Sequence, residues 1–272
     1  MNQRTRAQRH PRADGERTRG AILRTAASLA TVDGLEGLSI GNLAAATGIS
    51  KSGLYAHFGS KQELQLATVD EAERILDAEV IQPALAVRPG LAQLTAVCEA
   101  FFSYLQRRVF PGGCFFAATA LEMGTRPGPV KERVAAIQSG FTALLRAFAA
   151  TALEQHELPA HEDPDRLAFE LHAMLLAADT KFVLHDDPAI LDLARQVVRQ
   201  RLGLDNGRNA DGTGGTGGTG APGAPDGQRG VAWADVDRRP RRLRRRAWVI
   251  AEDPLDRWPM SHTSLAPCQS NL

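Results

Sequence analysis

The sequence predicts an all-α chain with three parts: an N-terminal three-helix unit in a helix-turn-helix layout, a larger helical bundle, and a disordered tail. Three observations carry this. Leu38 to Leu64 holds two short helical patterns joined by a tight glycine turn. The stretch from Gln62 to Gly203 is rich in alanine and leucine and has no alternating strand pattern. Beyond Leu204 the composition changes to glycine, threonine, proline and arginine. The resulting division is a basic disordered arm at 1–15, the helix-turn-helix unit at 16–60, the bundle at 61–204 and a Gly/Arg-rich tail at 205–272.

A first helix is expected over about Glu16 to Val32. Ser39 then precedes Ile40, Leu43 and Ala44, which stand at i, i+3 and i+4, so Ser39 is an N-cap candidate. Ala44, Ala45 and Ala46 have little bulk and let another helix cross closely. Gly48 suits the left-handed position that ends this helix. Ser50 caps the next helix, Leu54 and Phe58 face inward, and Gly59 stops it. Ser60-Lys61-Gln62-Glu63 is a capping box opening a long helix, about Lys61 to Gln82, that ends near Pro83. Further helices are expected at about Pro89 to Arg108, Cys114 to Met123, Pro129 to His156, Pro164 to His185 and Pro188 to Leu202. The last three carry proline near the first turn, where its missing N–H is tolerated.

The second helix of the pair has a polar outer face suited to a DNA major groove. Lys51 reaches a phosphate or a guanine edge, Ser52 a base or a phosphate, and Gly53 and Ala56 allow close approach. Tyr55 and His57 carry polar tips at the height of phosphate oxygens, and Lys61 at the next helix start supplies another phosphate site. The candidate DNA-contacting set is Ser39, Ser50, Lys51, Ser52, Gly53, Tyr55, His57 and Lys61. The same spacing also fits a helical hairpin with a merely solvated face.

The run from about Thr18 to Leu64 resembles the DNA-binding domain of the TetR family of bacterial repressors. The residues are Ile22, Ala26 and Leu29; Gly34 and Leu38-Ser39-Ile40; Leu43-Ala44 and Gly48-Ile49-Ser50; then Leu54-Tyr55-x-His57-Phe58-x-Ser60-Lys61-x-x-Leu64. Gly41 and the order Ser52-Gly53 depart from the pattern. Gly112-Gly113-Cys114-Phe115-Phe116 and Leu121-Glu122 resemble a motif in one branch of the family. The resemblance implies a homodimer on a double-stranded, palindromic operator, paired through the two C-terminal helices. It also implies a small-molecule effector that changes the separation of the recognition helices and releases the DNA.

Charge is divided along the chain. Residues 1–62 hold nine Lys and Arg against four Asp and Glu, residues 63–204 thirteen against nineteen, and residues 205–272 ten against eight. A basic N-terminal unit on an acidic body fits nucleic acid at one end. Six arginines between Arg4 and Arg19 lie in or beside the arm, which reads either as a solubilising tail or as a reach toward phosphates and the minor groove. No apolar run reads as a bilayer span and no signal-peptide core follows the Arg-rich start, so a cytoplasmic protein is expected. Cys98, Cys114 and Cys268 have no metal spacing, and no metal or cofactor is expected.

In the body, Leu167, Leu171, Met174, Leu175, Ala178 and Phe182 form one stripe, and Ile190, Leu193, Val197, Val198 and Leu202 another. Such stripes face either the chain's own core or a symmetry mate. Two-fold symmetric readers of paired half-sites favour the second, with Leu171, Leu175, Phe182 and Val197 as the interface. The middle helices would enclose a ligand chamber with walls from Phe101, Tyr104, Leu105, Phe115, Phe116, Phe141 and Leu145, and polar contacts from Glu122 and His172.

Enzyme signatures are lacking: there is no Gly-x-Ser-x-Gly elbow, no phosphate loop and no dinucleotide fingerprint. His156 and His161 are one residue too far apart for a zinc helix, with Pro159 between them. The glycine–threonine run at 212–220 is a linker, and the arginines of 238–246 are either a second DNA contact or the product of a shifted reading frame. The expected function is a ligand-released DNA-binding repressor that is not an enzyme. The alternative is the same fold controlled by a protein partner or by thiol oxidation.

Overall fold

The computed structural model describes residues 11–204, with side chains from Gly15 onward, and among these every regular element is helical. Helix α1 spans Pro11–Asp33, α2 Ile40–Thr47, α3 Lys51–Phe58 and α4 Lys61–Leu76. A π turn at Asp77–Ile81 leads into α5, Gln82–Leu85. Then come α6 (Leu91–Gln106), α7 (Phe115–Met123), α8 (Pro129–Glu154), α9 (Pro164–His185) and α10 (Ala189–Arg201). Most of the basic arm and the whole tail of 205–272, with its linker, arginine cluster and Cys268, lie outside the described residues.

Two boundaries differ from expectation. α1 begins at Pro11, inside the segment read as a disordered arm. Proline at a first helical position loses no hydrogen bond and presets φ, so it can open a helix there. The helix from Lys61 does not stop at Pro83 but continues to Leu85. The π turn ends two residues before Pro83, and its wider coil makes room for a ring that would otherwise meet the carbonyl of Glu79.

The capping residues behave as their chemistry dictates. The Ser39 hydroxyl accepts the Asn42 N–H (3.2 Å), and the Asn42 side-chain carbonyl accepts the Ser39 N–H (2.7 Å). The Ser50 hydroxyl accepts from Gly53 N–H and the Ser60 hydroxyl from Glu63 N–H, both at 3.1 Å. Gly48 ends α2 at φ 70°, where a β-carbon would be strained.

Helix α1 runs across α2 and α4, burying Ile22, Leu23, Ala26, Ala27 and Ala30 with Leu43, Leu54 and Phe58. Arg19 lies over the Phe58 ring at 5.3 Å. The body is built around α8, which packs on α4, α6, α7 and α9. By length and composition α8 is apolar enough to cross a bilayer, contrary to the expectation that no segment is. Its apolar stripe of Val130, Val134, Ile137, Phe141, Leu144, Leu145 and Phe148 is instead buried in the bundle.

Arg201 fixes the end of α10. Its guanidinium donates to both Glu162 oxygens at 2.8 and 2.9 Å and also binds Glu170. The hydrogen bonds from Arg201 hold both carboxyls below their ordinary range.

Candidate nucleic-acid interface and ligand cavity

The two faces of α3 separate cleanly. Leu54 and Phe58 are buried, while Lys51, Ser52, Tyr55, Ala56 and His57 are exposed, Tyr55 by 55%. An exposed tyrosine on a helix held by two glycine-containing turns is an available polar tip on a fixed scaffold. The eight expected DNA-contacting residues therefore lie on or beside one surface, in three situations. Lys51, Ser52, Tyr55 and His57 present side chains outward. Ser39 and Ser50 are exposed but use their hydroxyls as caps, and Gly53 supplies the N–H that Ser50 receives. Lys61 donates to Glu36 at 2.7 Å, so a phosphate there must compete with a carboxylate.

Inside the body lies a narrow crevice with a cavity volume of about 20 Å³, so a ligand larger than a water must part its walls to enter. Its walls are Leu76, Phe101, Phe116, Ile137, Phe141, Leu175 and Leu176, with Cys114, Gln138 and His172 as the polarisable and polar members. None of these lining residues carries a fixed charge. The Gln138 amide donates to the Phe116 carbonyl (3.0 Å), and the Thr142 hydroxyl lies 2.9 Å from His172 Nδ1. Burial lowers the His172 pKa from its ordinary value, so the ring favours its neutral form. The Thr142 hydroxyl also donates to the Gln138 backbone carbonyl at 3.1 Å, so it can accept from Nδ1 when that nitrogen carries the ring hydrogen. Gln138 and Leu176 also line a separate open groove between α7 and α9.

Of the nine expected ligand residues, Phe101, Phe116, Phe141 and His172 line this crevice. Tyr104, Leu105, Phe115 and Leu145 do not; they are buried in the bundle core. Tyr104 packs against Phe101 and edge-on against Phe110, and burial pushes its hydroxyl well above the usual tyrosine range. Glu122 is far from a ligand role. Its carboxylate accepts the N–H groups of Leu35 and Glu36, each at 2.7 Å, in the turn between α1 and α2. Leu76 went unforeseen because α4 reads in sequence only as the helix after the reading unit.

Three of the four expected interface residues face inward. Leu171, Leu175 and Phe182 are buried within the single chain, and Leu175 lines the crevice. They cannot meet a second copy without unfolding the first. Val197 is exposed. Helical spacing reports that a stripe is buried, not which partner buries it.

The glycine motif has a physical basis. A β-carbon on Gly112 would come within 2.0 Å of the Thr31 carbonyl oxygen, so only glycine lets this loop reach the end of α1. Gly113 has φ 85°, and a β-carbon there would meet Asp179. Cys114 N–H donates to the Asp179 carboxylate at 2.9 Å. Burial pushes the thiols of Cys98 and Cys114 up to about 12, which leaves almost no thiolate near neutral pH. Among the described residues, no group of three His, Cys, Asp or Glu is placed to hold a metal ion.

Comparison with known proteins agrees with this layout. Residues 22–68 match the model of bacterial regulatory proteins of the tetR family, and residues 90–198 match the Tetracyclin repressor-like C-terminal domain. No curated protein sequence matches the chain. Among solved structures, a TetR transcriptional regulator from Chloroflexus aurantiacus is 28% identical, with a TM-score of 0.65 over 70% of this chain and 96% of that one. SCO4454, a TetR-family regulator from Streptomyces coelicolor, is 22% identical, with a TM-score of 0.60 over 70% and 96%. AibR, described in complex with isovaleryl coenzyme A and operator DNA, is 24% identical, with a TM-score of 0.54 over 67% and 97%. With both the reading unit and the body matched, the chain belongs to the TetR family and is a DNA-binding transcriptional regulator.

Proposed function

We propose that this protein is a homodimeric repressor that binds a palindromic operator through α3 and leaves it when a small, uncharged, partly apolar molecule enters the crevice. The observation that carries this reading is the span of α4. Ser60 caps it directly behind α3, Leu64 is buried in the core of the N-terminal unit, and Leu76, at the other end, lines the crevice. Twelve residues of helix separate Leu64 from Leu76, about 18 Å, so one rigid rod touches both sites. A ligand that displaces the Leu76 end biases the recognition helix at the other.

The walls support a class of effector. Aromatic and aliphatic side chains surround Gln138 and neutral His172, whose ring is partnered by Thr142. This favours a molecule with an apolar body and one hydroxyl or amide, and disfavours a free carboxylate or ammonium, which would be buried unpaired. The acyl coenzyme A described with AibR suggests an apolar acyl group as one such body, but no lysine or arginine lines the crevice to meet phosphates.

The surface of α9 and α10 supports pairing. Phe169 and Leu184 are each 72% exposed, Leu193 is 60% exposed, and Val197 continues the patch. Phe169, Ala173, Leu176, Thr180 and Leu184 follow helical spacing along the outer side of α9. A second copy of the same two helices is the self-complementary cover for such a face. A cytoplasmic location follows from a chromosomal target. Control by thiol oxidation finds no support in the two buried thiols.

The test is release of a labelled operator fragment by a panel of neutral aromatic alcohols and amides, against matched carboxylates and amines. Release by neutral members, lost in Phe141→Trp, supports the reading. Release by none, or by charged members alone, contradicts it.

A further inference from the structure

We propose that Glu122 sets the angle at which the N-terminal unit sits on the body, and through it the half-site spacing that the dimer accepts. This rests on the reading of the chain as a dimer on paired half-sites.

The bundle reaches the turn between α1 and α2 mainly through one side chain. Glu122, near the end of α7, takes the Leu35 N–H on Oε2 and the Glu36 N–H on Oε1, both at 2.7 Å. Two donors on one planar carboxylate fix both the position and the rotation of the turn. Gly34 makes the approach possible, because a β-carbon there would lie 3.0 Å from Glu122 Oε1. The loop that leads into α7 holds the end of α1, where Gly112 N–H donates to the Thr31 hydroxyl at 3.2 Å. Arg126 reaches Glu36 at 3.6 Å, but both side chains are about half exposed, and such a pair contributes little. Within the N-terminal side, Gln65 donates to the Leu35 carbonyl at 3.0 Å, Lys61 to Glu36 at 2.7 Å and the Asn42 amide to the Gly37 carbonyl at 3.0 Å, so the turn is tied to both α4 and α2.

α7 and the loop before it therefore hold that piece at two points, beside the attachment of α4 to α8 through Arg133, which binds Asp70 and Glu73; Glu122 is the grip nearest α2. It touches neither DNA nor the crevice and acts as a positioning residue. Small rotations about the turn are enlarged at α3. A shift of about 1.7 Å in each protomer changes the separation of the two recognition helices by about 3.4 Å, one base-pair step. Loosening Glu122 should therefore leave the readout of each half-site intact and blur the spacing between them.

The experiment uses the full chain and an operator recovered from genomic fragments. Dissociation constants are measured for that operator and for versions with one or two base pairs inserted or removed at its centre. Wild type, Glu122→Gln, Glu122→Asp and the exposed neighbour Leu121→Ser are compared. Glutamine keeps only one acceptor oxygen, and aspartate keeps the charge but shortens the reach, so the second variant stands if the first does not fold. Wild type and Leu121→Ser should prefer the native spacing by about tenfold or more, the scale of one charge-assisted hydrogen bond. The Glu122 variants should bring that ratio to about threefold or less while discriminating base changes within a half-site as wild type does. A wild-type spacing profile in either Glu122 variant, an equal loss in Leu121→Ser, or no spacing preference in wild type would overturn the proposal. Failure of wild type to bind any operator would overturn the DNA-reading account itself, which separates the two.

Discussion

The Asp179 carboxylate on α9 accepts the backbone N–H of Cys114, 65 residues earlier in the chain, at 2.9 Å. It is a buried carboxylate, and burial raises its pKa from 3.8 to about 6 against the pull of that hydrogen bond. It ties α9 to the loop from which α7, the bridge between crevice and reading unit, departs.

A pH dependence follows. The folded pKa lies above the unfolded value, so the stabilisation is complete below about pH 4 and is lost as pH rises through about 6. Asp179→Asn keeps an acceptor for Cys114 but cannot ionise. Relative to wild type, the variant should gain roughly 1–1.5 kcal/mol between about pH 5 and about pH 7.5, the part of the linkage that falls in that window. His172 works in the opposite sense in both proteins and cancels in the comparison. Denaturant titrations at the two pH values give the difference, and a pH-independent gap would remove Asp179 from the account.

Recognition should depend on the outer face of α3. Tyr55→Ala should weaken operator binding by roughly 1–3 kcal/mol, the range for an interfacial hydrogen bond, with helicity and assembly unchanged. Gel-shift titration beside circular dichroism measures both. Unchanged affinity would move the contact elsewhere on the unit.

Assembly should depend on the exposed patch rather than on the buried stripe. Phe169→Glu and Leu193→Glu should give folded monomers, because each places a charge in a contact that excludes water only in the dimer. Leu175→Glu should instead unfold the protomer. Light scattering on the first two variants decides the matter, and a surviving dimer would exclude this face.

Gly112→Ala should loosen the junction between the body and α1. The added carbon would sit 2.0 Å from the Thr31 carbonyl oxygen, so backbone must move. A loss of roughly 1–3 kcal/mol is expected, the range for overpacking. Thermal or denaturant melting reads it, and an unchanged melt would show that the loop has room to yield.

The N-terminal unit was largely legible because its signals are local. Caps at Ser39, Ser50 and Ser60, a positive-φ glycine at 48 and inward Leu54 and Phe58 all act within a few residues of one another. The body was legible as helices but not as an arrangement. Leu171, Leu175 and Phe182 announce burial, yet Phe169, Ala173 and Leu184 stand at the same helical spacing on the outer side, and spacing alone does not rank the two. Phe101, Phe116, Phe141 and His172 were found among many aromatics, whereas Tyr104 and Phe115 look identical in sequence and differ only in what surrounds them. Glu122 was read as polar company for a ligand because nothing near it in sequence reveals two amide donors 86 and 87 residues away.

The central claim is that the outer face of α3 reads a defined operator. Its most direct test is selection of bound fragments from genomic DNA at physiological salt with excess competitor, run for wild type and for a Lys51→Ala/Tyr55→Ala double variant checked for folding and assembly. Wild type is predicted to enrich a small set of fragments that share a palindrome, and the double variant to lose that enrichment. An undiminished set in the double variant, or no enrichment by wild type, would contradict the account.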